Sequence, residues 1–217
     1  MQAKMKKLAL SIVAVGIASM AQPATAQWYG GVSVGSSDTK LDQSVLTVPA
    51  ATANSFTKDD TDTGYKIQAG YTINPNFAIE GGYVNLGKFS LTNNVTAPVV
   101  GSLKGSGKAD GWNLVAVGSL PIGNDFSLIG KLGTIYSTTK VDLATSGAVV
   151  LVAGTPINRE KNEWNWTYGL GLQYALSKTI SLRGEWERFD KLGTNSGINA
   201  TGEYNFNMYS VGLNFKF

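Results

Sequence analysis

Two glutamates in the last fifth of the sequence have a spacing that could support acid–base chemistry. Glu185 and Glu187 are separated by one residue, and in a β-strand this spacing places both side chains on the same face. Paired carboxylates can serve as the acid and the base of a glycosidase. The sequence contains no histidine, which excludes histidine-based triads, histidine general bases and histidine metal ligands.

The segment that precedes these glutamates alternates regularly between apolar and polar residues. One side of segment 163–176 carries Trp164, Trp166, Tyr168, Leu170, Leu172, Tyr174 and Leu176, and the other carries Asn165, Thr167, Gly169, Gly171, Gln173 and Ala175. Strict alternation indicates a strand with one apolar face and one polar or small face. We predict eight such strands, at 28–36, 63–73, 77–86, 110–120, 125–136, 163–176, 180–189 and 203–217.

The connections between these strands alternate between tight turns and long loops. The tight connections lie at 74–76, 121–124 and 177–179, where Asn, Pro, Gly and Ser favour turns. The long connections lie at 37–62, 87–109, 137–162 and 190–202 and are rich in Gly, Ser, Thr, Asn and Asp. The pattern predicts that long loops lie at one end of the sheet and tight turns at the other.

The composition favours a membrane barrel over a soluble β-sandwich. Charged residues make up 15% of the chain, against roughly 25% in ordinary soluble domains. A sandwich would expose its polar face to water, but here that face is mostly Gly, Ser, Thr, Asn and Gln. In a membrane barrel the apolar face meets lipid, and closure pairs every backbone group. We therefore predict an all-β fold, a transmembrane eight-stranded antiparallel up-and-down β-barrel.

Aromatic residues are concentrated at both ends of the predicted strands. Those near the turn end are Trp28, Tyr71, Phe77, Phe126, Tyr174, Phe215 and Phe217. Those near the loop end are Tyr65, Tyr83, Trp112, Tyr136, Trp164 and Trp186. Two aromatic girdles at the membrane interfaces are typical of a transmembrane barrel.

Residues 1–26 have the features of a cleaved secretory signal peptide. A basic start with Lys4, Lys6 and Lys7 is followed by an apolar core too short to span a bilayer and by an Ala24-Thr25-Ala26 cleavage signal. The barrel domain is then residues 27–217. Three of the 18 basic residues and none of the 15 acidic residues lie in the signal. The mature chain therefore has no net charge, which argues against nucleic acid as a partner.

Six charged residues face the interior of the predicted barrel. Their phase in the strands assigns Lys66, Glu80, Lys131, Arg183, Glu185 and Glu187 to that face. Buried charges are costly unless they are paired, and three bases can satisfy three acids. We interpret the set as an ion-pair network that plugs the barrel, and the alternative is a gated, narrow path for water or ions. An interior this small leaves no room for a glycosidase cleft.

Three further features leave alternatives open. The acidic residues Asp38, Asp42, Asp59, Asp60 and Asp62 form either a solvated loop or a site for a hard cation such as calcium. The apolar run 148–153 indicates either an extra hairpin with strands near 138–143 and 148–153, or an exposed patch for a partner. Apolar residues break the phase of the predicted interior at Val84, Leu86, Tyr204, Phe206 and Met208. A bulge near residue 208, or an upper strand outside the bilayer, would explain the break in the last strand.

The sequence also resembles a known family. The stretches WYGGVSVGSS, DTGYKIQAGYTINPNFAIEGGYVNLG, GWNLVAVGSLPI and MYSVGLNFKF are similar to the small OmpA-like and OmpX-like barrels of bacterial outer membranes. This resemblance implies an eight-stranded barrel with periplasmic termini. It also implies that the alternating last strand, with Tyr209, Val211, Leu213, Phe215 and Phe217, is the signal read by the outer-membrane assembly machinery. Some relatives carry a further peptidoglycan-binding domain, which we do not expect in this sequence.

The resemblance also narrows the expected function. The enzymes among outer-membrane barrels rely on a catalytic histidine, so we expect no enzyme activity, no cofactor and no bound metal. We expect a monomer that contacts the lipid bilayer and lipopolysaccharide and displays four extracellular loops to a surface ligand. A porin-like narrow channel for ions or small solutes is the alternative.

Overall fold

The computed structural model describes residues 28–48, 51–197 and 200–217, and these form an antiparallel β-sheet. The strands are β1 (Trp28–Thr39), β2 (Ala53–Asp59), β3 (Thr61–Asn74), β4 (Phe77–Ala97), β5 (Gly101–Pro121), β6 (Phe126–Gly147), β7 (Asn158–Ala175), β8 (Ile180–Leu192) and β9 (Tyr204–Lys216). One turn of 3-10 helix spans Gln43–Leu46. No helix in the described ranges is long and apolar enough to cross a membrane. The predicted signal peptide lies outside the described residues.

Eight of these strands form a closed ring. Each strand from β3 to β9 pairs with the next, and β1 pairs with both β3 and β9. The first and last strands, β1 and β9, close the ring. Val32 on β1 lies opposite Leu213 on β9, and on its other side it lies opposite Ile67 on β3. The predicted all-β, eight-stranded barrel is therefore confirmed. The remaining strand, β2, lies in the predicted loop 37–62 and pairs with the upper part of β4.

The period-two pattern of the sequence sets which side chains face outward. Val32, Ile67 and Leu213 are exposed on the outer wall, whereas their neighbours Ser33 and Lys66 are buried inside. A barrel that exposes this much apolar surface is stable only in an apolar solvent. The outer wall therefore has the surface of a membrane-spanning barrel.

The strands at one end extend well beyond the predicted limits. The predicted loop 87–109 is mostly β4 and β5, joined by a short turn at 98–100, and the predicted loop 137–162 is mostly β6 and β7. The hairpin expected near 138–143 and 148–153 is wrong, because 138–143 belongs to β6 and 148–153 forms no strand. These segments are rich in Gly, Ser and Thr, as loops are. They are strands nevertheless, because β5 and β6 pair without interruption from Gly101↔Gly147 to the turn end.

The predicted turns at the other end agree with the structure. The side-chain oxygen of Asn74 accepts hydrogen bonds from the backbone N–H groups of Asn76 and Phe77, at 2.9 and 3.0 Å. The hydroxyl of Ser177 accepts bonds from the N–H groups of Thr179 and Ile180, at 3.2 and 3.0 Å. Such side-chain bonds replace backbone partners in short connections.

Near the turn end the interior mixes charged side chains with the buried Val115, Val117 and Ile129, and toward the loop end it is apolar. The bulge predicted near residue 208 is wrong, because Met208 pairs regularly with Ser37 and Glu187. Its side chain is fully buried in an apolar cluster, so the alternation of β9 continues and only the chemistry of the interior changes. A register shift does occur in β4 after Asn85, where Gly87 has a φ of 77°.

Candidate functional site

The six charged residues predicted for the interior come together in one cluster. Lys66 is on β3, Glu80 on β4, Lys131 on β6, and Arg183, Glu185 and Glu187 on β8. Each is at most 6% exposed. We call this cluster the ion-pair plug.

The two lysines of the plug each contact two carboxylates on strands other than their own. The Nζ atom of Lys66 lies 2.7 Å from Oε2 of Glu185 and also contacts Glu187. The Nζ atom of Lys131 lies 2.8 Å from Oε2 of Glu80 and 2.5 Å from Oε1 of Glu185. Since three cations face three carboxylates, the plug has no net charge, which reduces the cost of burying it.

Arg183 completes the plug at the side nearer the turns. Its NH1 group donates to Glu80 and lies 3.6 Å from Oε1 of Glu185. Its Nε and NH2 groups donate to the side-chain oxygen of Gln173, at 3.0 and 2.9 Å. The phenol of Tyr29 donates to Oε1 of Glu80 at 2.7 Å. The guanidinium is therefore held by partners on three strands.

Sequence reasoning missed Tyr29 and Gln173 as members of this network. Gln173 lies on the polar face of its predicted strand, and Tyr29 alternates with the outward-facing Trp28. Strand phase could therefore have indicated both as interior residues. Their partners could not be assigned because the register across the ring is not visible in the sequence.

Glycines opposite the plug make room for its carboxylates. A Cβ atom added to Gly169 would lie 2.7 Å from Cγ of Glu187 and 2.5 Å from the backbone oxygen of Trp186. Even alanine at this position would therefore clash. The inward-facing glycine of β7 is part of the site because it determines where the Glu187 side chain can lie.

An apolar layer lies above the plug. The side chains of Val84, Ile135, Phe189, Phe206 and Met208 are at most 2% exposed and belong to one cluster. Below the plug, a small cavity of about 90 Å³ opens beside Tyr29 and Arg183. The apolar layer therefore follows the ion-pair plug toward the loop end, while the buried Val117 and Ile129 line the small cavity on the turn side.

The arrangement offers little for catalysis. Glu185 and Glu187 have the predicted shared face, but both contact Lys66 and are almost fully buried. Such carboxylates are held as ion-pair partners, not as a free acid and base. The geometry instead supports occlusion of the barrel interior.

The acidic residues considered for calcium do not form a cation site. Asp62 accepts hydrogen bonds from the N–H groups of Thr63 and Lys88, and Asp38 accepts one from Asn207. Within the described ranges, no three acidic side chains are close enough to hold a metal ion together.

The aromatic residues and the proposed assembly signal lie on the outer wall. Tyr83 packs on Trp112 with ring centroids 5.4 Å apart, and Tyr136 packs on Trp164 at 5.2 Å. These four residues lie opposite one another on β4 to β7 and form one row. The five residues of the assembly signal are Tyr209, Val211, Leu213, Phe215 and Phe217, and all are exposed outward.

Comparisons with known proteins identify relatives of this architecture. The family model of the outer membrane protein β-barrel domain matches residues 8–217. No curated protein sequence matches the chain. Neisserial surface protein A is 13% identical, with 88% of this chain and 97% of that chain covered and a TM-score of 0.50.

Two further solved structures are similar to this chain. OprG from Pseudomonas aeruginosa is 19% identical, with 88% of this chain and 96% of that chain covered and a TM-score of 0.47. The outer membrane protease OmpT from Escherichia coli is 10% identical, with 88% and 97% covered and a TM-score of 0.47. Identities this low show likeness of fold alone.

Proposed function

Because the chain belongs to the outer membrane protein β-barrel domain family and therefore lies in the bacterial outer membrane, we propose that it is a closed barrel that displays a surface-interaction structure. The observation that supports this function is the ion-pair plug beneath an apolar layer. Lys131 and Met208 are both buried in these layers, which supports a closed interior. A barrel that is closed in this way serves as a membrane anchor for the strands and loops that extend beyond the membrane.

The displayed structure consists of the upper parts of β4, β5 and β6. From Tyr136 in the aromatic row, β6 continues to Gly147, which at about 3.3 Å per residue is roughly 36 Å of strand. Strands in such barrels tilt by about 35–45°, so the tip stands roughly 25–30 Å above the aromatic row. The loop at 148–157 and the turn at 98–100 lie at this tip and carry the exposed Val100, Val150 and Val152.

The expected partners form part of the same proposal. The aromatic row supports contact with the membrane, because aromatic side chains are enriched at membrane interfaces, and lipid and lipopolysaccharide would surround the outer wall there. Insertion by the outer-membrane assembly machinery would use the exposed face of β9. We propose a monomer, because the ring is closed within one chain. We also propose no enzyme activity, since the paired carboxylates are buried in the plug.

The alternative function is a narrow channel for ions or small solutes. Its support is the charged lining of the interior, because ion pairs such as Lys131–Glu80 could exchange partners and admit water. Conductance in planar bilayers separates the two functions. The closed-anchor proposal expects no steady conductance from the wild type, whereas a channel conducts and changes ion selectivity when Glu80 is replaced by Gln.

A shortened barrel tests the display function. Replacing residues 90–106 with a two-residue turn removes the upper β4–β5 hairpin and keeps the membrane-facing part of both strands. Cells carrying this variant should adhere less to epithelial monolayers and to one another than cells carrying the wild type. A second variant keeps the hairpin and replaces only Val99 and Val100 with Ser, which tests whether the exposed side chains of the tip account for the loss. If the shortened barrel is inserted normally and every adhesion measurement is unchanged, the display function is wrong.

A further inference from the structure

A cavity of about 350 Å³ lies at the loop end of the barrel, above the apolar layer. Its walls come from the inner faces of β4, β5 and β6, from the segment that contains the 3-10 turn, and from the start of β9. The apolar lining includes Leu41, Leu46, Phe89, Leu91, Leu103 and Val141. Those six side chains are buried, yet the space between them is not filled by the chain.

Part of this space is left by a glycine, which has no side chain to place there. Gly105 lies on the inward face of β5, between Leu103 and Gly107, and contributes no side chain to the cavity. A Cβ atom there would lie 3.2 Å from Leu46 and 3.6 Å from Leu143, so a larger residue would enter the space between these side chains. Protein interiors are normally close-packed, and a cavity this large is unusual without an occupant.

The size and lining of the cavity define a class of ligand. An apolar cavity of roughly 150 Å³ is large enough for benzene, and binding pockets generally begin at about 300 Å³. The space therefore suits a bicyclic aromatic molecule or a medium-length hydrocarbon chain. Because its walls are mainly aliphatic and aromatic, with Thr155, Asn195 and Thr201 as uncharged polar members, the body of the ligand must be apolar.

The mouth of the cavity carries one charge of each sign. The guanidinium of Arg159 is oriented by donation from Nε to the oxygen of Pro156, at 3.1 Å, and from NH1 to the oxygen of Ala200, at 2.8 Å. The carboxylate of Asp42 lies at the same mouth. An opening that carries both signs of charge disfavours a ligand with a net charge, whereas a hydroxyl group can hydrogen-bond there.

The floor of the cavity prevents a bound molecule from passing through the barrel. Phe206 and Met208 are fully packed beneath it, and the ion-pair plug lies below them. A molecule that enters from the loop end therefore stays in the upper half. We propose that this cavity is a binding site for a small, uncharged apolar molecule that carries a hydroxyl group. The proposal does not depend on the display function.

The experiment uses 2-naphthol as the probe and the wild-type barrel in lipid nanodiscs. Methyl-labelled protein is titrated and followed by NMR. The proposal expects chemical-shift changes and ligand-to-methyl contacts at Leu91, Leu103 and Val141. Changes confined to the lipid-facing Leu114 and Leu132, which report partition into the bilayer, would overturn it.

A pair of variants tests the position of the site by calorimetry in the same nanodiscs. Gly105→Val adds a side chain to the wall of the cavity beside Leu46, and Ser106→Val adds the same side chain to the outer face of the same strand. We expect the first change to weaken 2-naphthol binding at least tenfold and the second to change it less than twofold. Equal affinity in the folded Gly105→Val variant overturns the proposal. Should that variant not fold, Val141→Phe takes its place, and the wild-type NMR result decides the outcome independently.

A charged analogue tests the chemistry of the mouth. Naphthalene-2-sulfonate has the same ring system as 2-naphthol but a full negative charge. Binding at least tenfold weaker than that of 2-naphthol is expected. Equal or tighter binding of the sulfonate shows that Arg159 selects anions, and the uncharged class of ligand is then wrong.

Discussion

The Nζ atom of Lys66 lies 2.7 Å from Oε2 of Glu185, and this ion pair crosses the interior of the barrel. Lys66 belongs to β3 and Glu185 to β8, which are separated along the ring by β1 and β9. The pair therefore connects strands that share no backbone hydrogen bonds. Its loss would affect closure of the interior as well as the stability of the barrel.

Neutralising one carboxylate of the plug should destabilise the barrel. Glu80→Gln leaves Lys131 and Arg183 charged and buried with one fewer acidic partner, and breaking a buried pair in this way costs about 3 kcal/mol or more. Urea unfolding from lipid vesicles, followed by tryptophan fluorescence, measures the change in the free energy of unfolding.

The control for Glu80→Gln is an exposed ion pair on the upper parts of β6 and β7. The Nζ atom of Lys140 lies 2.7 Å from Oε2 of Glu160, and both side chains are more than 40% exposed. Exposed pairs contribute little to stability, so Glu160→Gln should leave unfolding unchanged within error. Equal effects of the two substitutions would contradict the assignment of the plug as a buried structural network.

Energetic coupling within the plug is a second expectation. Lys131→Met removes the cation that lies 2.8 Å from Glu80, and each single change leaves an unpaired charge behind. The double variant with Glu80→Gln should therefore be more stable than the sum of the single effects predicts, by roughly 0.5–3 kcal/mol. Denaturation of all four proteins in the same vesicles gives this coupling energy. Strict additivity would mean that the two groups do not interact.

The sequence was sufficient to predict the ring and the membership of the plug. Because side chains alternate strictly in a strand, phase alone placed Lys66, Lys131 and Arg183 on the inner face. Their contacts depend on register around the ring, which no local pattern reveals. The hydrogen bond from Tyr29 to Glu80 joins residues that are 51 positions apart, and such a contact becomes visible only once β1, β3 and β4 are aligned.

The upper strands were predicted less well because their composition resembles that of loops. Segment 101–109 contains Gly, Ser and Lys in place of typical strand residues. Its partner in β4 nevertheless alternates, with Phe89, Leu91 and Val95 all facing inward. The break in phase at Met208 has the same origin. The prediction assumed a polar interior throughout, whereas the interior is apolar above the plug.

The glycine opposite Glu187 should be intolerant of any side chain. Gly169→Ala places a Cβ atom 2.5 Å from the backbone oxygen of Trp186, and relieving such overlap costs typically 1–3 kcal/mol. The matched control is Gly184→Ala on the outer face of β8, where a Cβ atom meets nothing within 4 Å. Alanine there should be neutral or slightly stabilising.

Both glycine variants can be compared by the heat-dependent shift of folded barrels on SDS gels and by urea unfolding. The Gly169→Ala barrel should lose its compact form at a lower temperature than the wild type, while the Gly184→Ala barrel should not. If the two variants melt together, the contact of Gly169 with its neighbours does not constrain the plug.

Tyr204 gives the cavity at the loop end of the barrel a distinct response to pH. It is the first residue of β9, and its phenol donates to the oxygen of Thr201 at 2.8 Å. Burial raises the pKa of Tyr204 from 10 to about 12. Since the folded state holds this proton more tightly, the resulting stabilisation is complete below pH 10 and is lost as the pH rises toward 12. Tyrosinate absorbance of the wild type minus that of Tyr204→Phe should therefore titrate near pH 12 in the folded protein and near pH 10 in urea. A folded-state difference that titrates at pH 10 would show that water reaches the phenol freely and that the wall of the cavity beside β9 is open.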